Sequence, residues 1–75
     1  MSTDKLVYMA NQIGKFFTAQ GGDKAAPSIA EHLKKFWEPR MRAQILAAVG
    51  TEAGAGLSEI VSAALTAHRA LLQPA

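Results

Sequence analysis

Glycine and proline cut this chain into pieces short enough to be single helices, and that punctuation limits the fold more than any other feature of its 75 residues. Gly21-Gly22, Pro39, Gly50 and the run Gly54-Ala55-Gly56 leave four apolar segments between them. Glycine enters the left-handed region without steric penalty and so ends helices. Proline has no amide hydrogen and biases the residue before it, here Glu38, away from helical geometry. Within each segment large apolar residues recur at spacings of three and four, and no period-two run or internal repeat competes with that pattern. The pattern predicts an all-α fold: one helical domain, 1–75, built as a small bundle of three to four short helices with a break or kink at Pro39. The helices are expected over about 4–20, 27–37, 39–49 and 57–72.

In the first segment Leu6, Met9, Ala10, Ile13, Phe16 and Phe17 fall within about 120° of helix surface, with Tyr8, Asn11 and Lys15 opposite. Ser2 or Thr3 can cap its start, and Asp4 suits the positive end of the dipole. Gly14 reads as a tolerated interior glycine, with close approach by a neighbouring backbone as the other option. Pro27 fits the first turn of the second helix, whose apolar face is Ile29, Ala30, Leu33, Phe36 and Trp37. Continued as a straight helix beyond Trp37, the chain would carry Met41 and Ile45 roughly 90° off that face, so a break is expected. The third helix turns Met41, Ile45, Ala48 and Val49 inward. Thr51 to Gly56 reads as a flexible loop, and the last helix carries Leu57, Ile60, Val61, Ala64, Leu65, Leu71 and Leu72 on one face. Gln73-Pro74-Ala75 reads as a frayed end.

The sequence is 49% hydrophobic, but 15 of those residues are alanine, so the core available to 75 residues is thin and a partner surface would help it. The chain has no cysteine, which removes disulfides, thiolate catalysis and thiolate-held zinc or iron–sulfur clusters and fits a reducing compartment. No stretch approaches ~18 consecutive apolar residues, and MSTDKLVYMANQ has no basic region followed by an apolar run. Neither a membrane span nor a secretory signal is expected.

Few residues carry chemistry. No nucleophile–base set is recognisable, His32 and His68 are not spaced as a helical metal pair, and the glycines match no phosphate-cradling pattern. The sequence therefore offers no catalytic, cofactor-binding or metal residue. His32 reads as a boundary histidine one turn from Phe36. His68 sits in the apolar stripe of the last helix, where an imidazole needs a polar partner inside the chain or on another chain. Phe36-Trp37-Glu38-Pro39-Arg40-Met41-Arg42 is the densest cluster of unusual residues. Trp, Met and Arg are enriched in interface cores, so Phe36, Trp37, Pro39, Arg40, Met41, Arg42 and His68 are the candidate partner-binding residues. The competing reading of this segment is a core aromatic pair followed by a solvated basic turn. The alternative function is a small helical nucleic-acid-binding regulator using Lys34, Lys35, Arg40, Arg42 and Arg69. Against it, the net charge is only +2, Glu31 and Glu38 dilute the cluster, and a phosphate-tracking surface needs a stripe of cations. Neither nucleic acid nor membrane is the expected partner.

Three stretches resemble a known family. Met9-Ala10-Asn11-Gln12-Ile13-Gly14-Lys15-Phe16-Phe17, the block Ile29-Ala30-Glu31-His32-Leu33-Lys34-Lys35-Phe36-Trp37-Glu38-Pro39-Arg40-Met41-Arg42, and Leu57-Ser58-Glu59-Ile60-Val61-Ser62-Ala63-Ala64-Leu65 are similar to the delta subunit of NAD-dependent, molybdenum-containing formate dehydrogenase. The resemblance covers about residues 5–70, and FWEPRMR is its most specific part. It implies a non-catalytic accessory subunit of a cytoplasmic complex, supporting assembly, stability or cofactor insertion of the large catalytic (alpha) subunit. It also implies that the molybdenum cofactor, iron–sulfur clusters, FMN and NAD belong to the partner subunits and none to this chain. In isolation the chain could form a homodimer through its exposed apolar faces.

Overall fold

The computed structural model describes residues 2–21 and 24–74, and every described regular element in it is helical. α1 spans Thr3–Gln20, α2 Ala25–Phe36, α3 Pro39–Ala48, α4 Glu59–Ala67 and α5 Arg69–Leu72, with a 3-10 turn at Glu52–Gly54 between α3 and α4. Local chemistry sets each boundary. The Ser2 hydroxyl accepts the Lys5 N–H at 3.2 Å and Asp4 lies in the first turn of α1. That helix stops at Gly21, whose φ of 154° lies where side chains are disfavoured. Gly22, the other half of the expected stop, is outside the described residues.

The break at Pro39 is complete. The Trp37 N–H still bonds to the Leu33 carbonyl at 3.0 Å, after which Trp37 and Glu38 are extended and Pro39 takes the first position of α3. The last segment differs from the single helix expected over 57–72. Ser58 caps α4, its hydroxyl accepting the Val61 N–H, and His68 (φ −114°, ψ 26°) separates α4 from α5. The interruption keeps its bonds: the His68 N–H reaches Ala64 O and the Leu72 N–H reaches His68 O.

α2 packs on both α1 and α4, α1 also meets α3, and the short α5 closes over α2 and α3. Leu6, Ile29, Leu33, Ile45, Val61, Leu65 and Leu72 are the largest fully buried side chains, with Trp37 beside them. On α1 the buried edge is rotated from the expected stripe. Leu6, Val7, Ala10 and Gly14 are buried, Met9, Ile13 and Phe17 are partly buried, and Phe16 is 59% exposed. Gly14 explains the rotation: a Cβ built there would lie 2.6 Å from Val61 Cγ2. α1 thus presents its smallest residue to α4, and Gly14 is a close-approach glycine, not merely a tolerated one.

The 51–56 connection is ordered, contrary to the flexible loop expected there. The Thr51 hydroxyl donates to the Ala48 carbonyl at 2.7 Å, and a Cβ on buried Gly54 would fall on that same carbonyl oxygen. Asn11, which the helical wheel placed on the outer face of α1, fastens the far end. Its Nδ2 donates to Gly56 O and its Oδ1 accepts the Ser58 N–H, both at 2.9 Å.

Candidate interaction surface

The 36–42 segment divides into residues facing inward and residues facing out. Trp37 is 5% exposed and belongs to the core. Arg42 is 7% exposed. Its Nε donates to Leu72 O at 3.0 Å, and its Nη1 donates to Trp37 O at 2.9 Å and Lys34 O at 3.2 Å. Those carbonyls lie where α2 and α5 end, the places where helices leave acceptors unpaired and carry partial negative charge. One guanidinium therefore joins the C-terminal ends of two helices from a position on a third. Trp37 and Arg42 do not offer their side chains to a partner in this arrangement, which corrects their placement among the candidate anchors. The competing reading, a core aromatic followed by a basic turn, is right for Trp37, whereas Arg42 is neither solvated nor a surface cation. Of the remaining candidates Phe36 is 67% exposed, Pro39 and Arg40 are exposed, and Met41 is half-buried. His68 is half-buried at the α4–α5 break instead of standing mid-helix.

A different set of residues gathers around Phe36. The ring of His32 stands 4.7 Å from that of Phe36 and 5.8 Å from that of Phe17, and Phe17 meets Phe16 edge-on at 5.1 Å. Four rings thus form a continuous row across the end of α1 and the C-terminal half of α2, at spacings typical of favourable aromatic pairs. Phe16 and Phe36, at its two ends, are both largely exposed. Beside the row lies an open groove of about 530 Å³, lined by Phe17, His32, Phe36 and Leu71 with Ser28, Glu31, Lys34 and Lys35. Leu71 is 41% exposed.

The sequence reading missed Phe16 and Leu71 as surface residues, whereas Phe17 is partly buried against the core, on the face expected for it. A signal for one of them existed: adjacent residues on a helix are about 100° apart, so Phe16 and Phe17 could not both be deeply buried on one narrow stripe. His32 is the boundary histidine expected, but its neighbours include a ring from α1 as well as Phe36.

The cations are distributed without forming a stripe. Arg42 is withdrawn into the interior, and the Arg69 Nη2 donates to Leu46 O at 3.3 Å. Lys34 and Lys35 stand at the groove with Glu31. Among the described residues no three His, Cys, Asp or Glu side chains are placed to hold a metal ion, and no helix is long and apolar enough to cross a membrane. The arrangement provides an apolar, aromatic contact surface with a cationic margin.

Residues 5–65 match the family model described as NADH-dependant formate dehydrogenase delta subunit FdsD. That span runs through α1, α2 and α3 and most of α4, and it stops before α5. No curated protein and no solved structure matches the chain.

Proposed function

The chain belongs to the NADH-dependant formate dehydrogenase delta subunit family, FdsD, and from that premise we propose that it is a non-catalytic accessory subunit of the formate dehydrogenase complex. Its proposed role is to support assembly, stability or cofactor insertion of the large catalytic subunit, in the cytoplasm. The family match over residues 5–65 is the observation that carries this reading. Two features support it. With no cysteine in the sequence, the chain has no thiolate for a cluster or a thiolate-ligated metal. Of its exposed large apolar side chains, Phe36 and Leu71 line one groove and Phe16 stands at the far end of the ring row that runs along it, and exposed apolar surface of that kind marks contact sites. In this reading the molybdenum cofactor, iron–sulfur clusters, FMN and NAD reside on the partner subunits.

The test is to produce the complex with and without this chain. Loss of the chain should lower formate-dependent NAD⁺ reduction per catalytic subunit several-fold, together with molybdenum content or resistance of the complex to dissociation. A complex of equal activity, metal content and stability would overturn the proposal.

A further inference from the structure

We propose that the Phe16–Phe36 face docks an acidic segment of the large formate dehydrogenase subunit, seating an apolar side chain between Phe36 and Leu71 and carboxylates against Lys34 and Lys35. This inference rests on the delta-subunit reading above and deepens it by assigning the contact to a face and a chemistry.

Two observations carry it. The first is the row of four rings that the chain builds and leaves open. Its end members are 59% and 67% exposed, although each ring is in contact with its neighbour in the row. Rigid aromatic side chains beside a groove are the anchors that dominate protein interfaces. The second is charge. Lysines in the last turn of a helix can bond its terminal carbonyls, but at the end of α2 the carbonyls of Lys34 and Trp37 are already bonded by Arg42 from within. Lys34 and Lys35 are exposed and line the groove, where they outnumber its one carboxylate, Glu31. Such a margin complements an acidic segment. It disfavours a second copy of this chain, which would bring two more lysines to the same contact.

The experiment uses the complete complex purified through a tag on the large subunit. Phe16→Ser/Phe36→Ser and Lys34→Glu/Lys35→Glu are compared with the wild type for retention of the chain. Retention is followed as sodium chloride rises from about 0.05 to 0.5 M, a range over which surface charges become screened. All four side chains are exposed, so thermal midpoints of the isolated variants should match the wild type. The aromatic variant should bind at least about tenfold more weakly. The lysine variant should also bind more weakly and lose most of its response to salt.

If both variants bind as the wild type does, the face is wrong while the delta-subunit reading stands. If wild-type chain itself fails to co-purify with the large subunit, that reading falls and this inference with it. Loss of binding in the aromatic variant alone, with no effect of charge or salt, overturns the acidic occupant. A homodimer of isolated chain that the aromatic substitutions dissociate, with complex retention unchanged, assigns the face to a second copy and overturns the proposal.

Discussion

Arg42 is buried beneath α5 with three backbone acceptors, and its substitution should be felt far more than that of any surface cation. Arg42→Met leaves the carbonyls of Lys34, Trp37 and Leu72 without their donor. Unsatisfied buried polar groups cost about 1–3 kcal/mol each before water and relaxation recover part, so a loss of roughly 2–4 kcal/mol in urea unfolding is expected. Arg42→Lys should recover only a fraction, because an ammonium is a point donor and lacks the planar fork that spans separated acceptors. The sequence marked Arg42 as unusual but not as internal. Nothing in the local pattern says that α5, 30 residues later, will bring Leu72 O to its Nε. Gly14 is a second residue whose role depends on distant packing. Gly14→Ala would gain about 1 kcal/mol of helix propensity. However, its Cβ would press on Val61 Cγ2, a stiff β-branched side chain with no exposed surface. A net destabilisation of about 1–3 kcal/mol is expected, much of it relieved when Val61→Ala is added. Additive effects in that double-mutant cycle would refute the close-approach role.

Where helices begin and end was largely readable, because the breakers act locally. Ser2, Pro27, Pro39 and Gly21 do in the structure what their backbone chemistry requires. The exceptions have non-local causes. The 51–56 connection contains two glycines and looks mobile in sequence, yet Gly54 is drawn against Ala48 and Asn11 ties Gly56 and Ser58 to α1. Asn11→Ala should therefore cost about 1–2 kcal/mol, since it removes two hydrogen bonds worth about 1 kcal/mol each. It should also speed hydrogen exchange at the Ser58 amide while leaving the centre of α2 protected. Unchanged exchange at Ser58 would show that the connection is held by packing alone. The break at His68 likewise has no strong signal, since no glycine or proline marks it. The helical wheel accordingly ran one face through Leu57 to Leu72 and placed Leu71 inside, where the structure exposes it.

At the scale of the molecule, 28 × 26 × 18 Å, stability and contact surface draw on different residues. Trp37 and Arg42 hold the interior, while Phe16 and Phe36 contribute little to it. Phe16→Ser and Phe36→Ser should each change the stability of the isolated chain by no more than about 0.5 kcal/mol, as surface substitutions do, whereas Trp37→Ala should cost about 3–5 kcal/mol. If the chain binds the large subunit as proposed, mixing the two at concentrations about 100-fold above the dissociation constant should stabilise the chain by roughly 2.7 kcal/mol. The rise in its thermal midpoint should vanish in the aromatic double variant.

The residues after Leu65 are outside the family match, yet Leu72 is buried and caps Arg42 through its carbonyl, and Leu71 lines the groove. Synthesis runs from the N-terminus, so these two residues leave the ribosome after all of α1 to α4. Until then Arg42 lacks its Nε acceptor and the groove lacks one wall. Neither the core nor the groove is complete on a nascent chain that ends before Leu72, so docking as proposed would follow synthesis of the fold rather than accompany it.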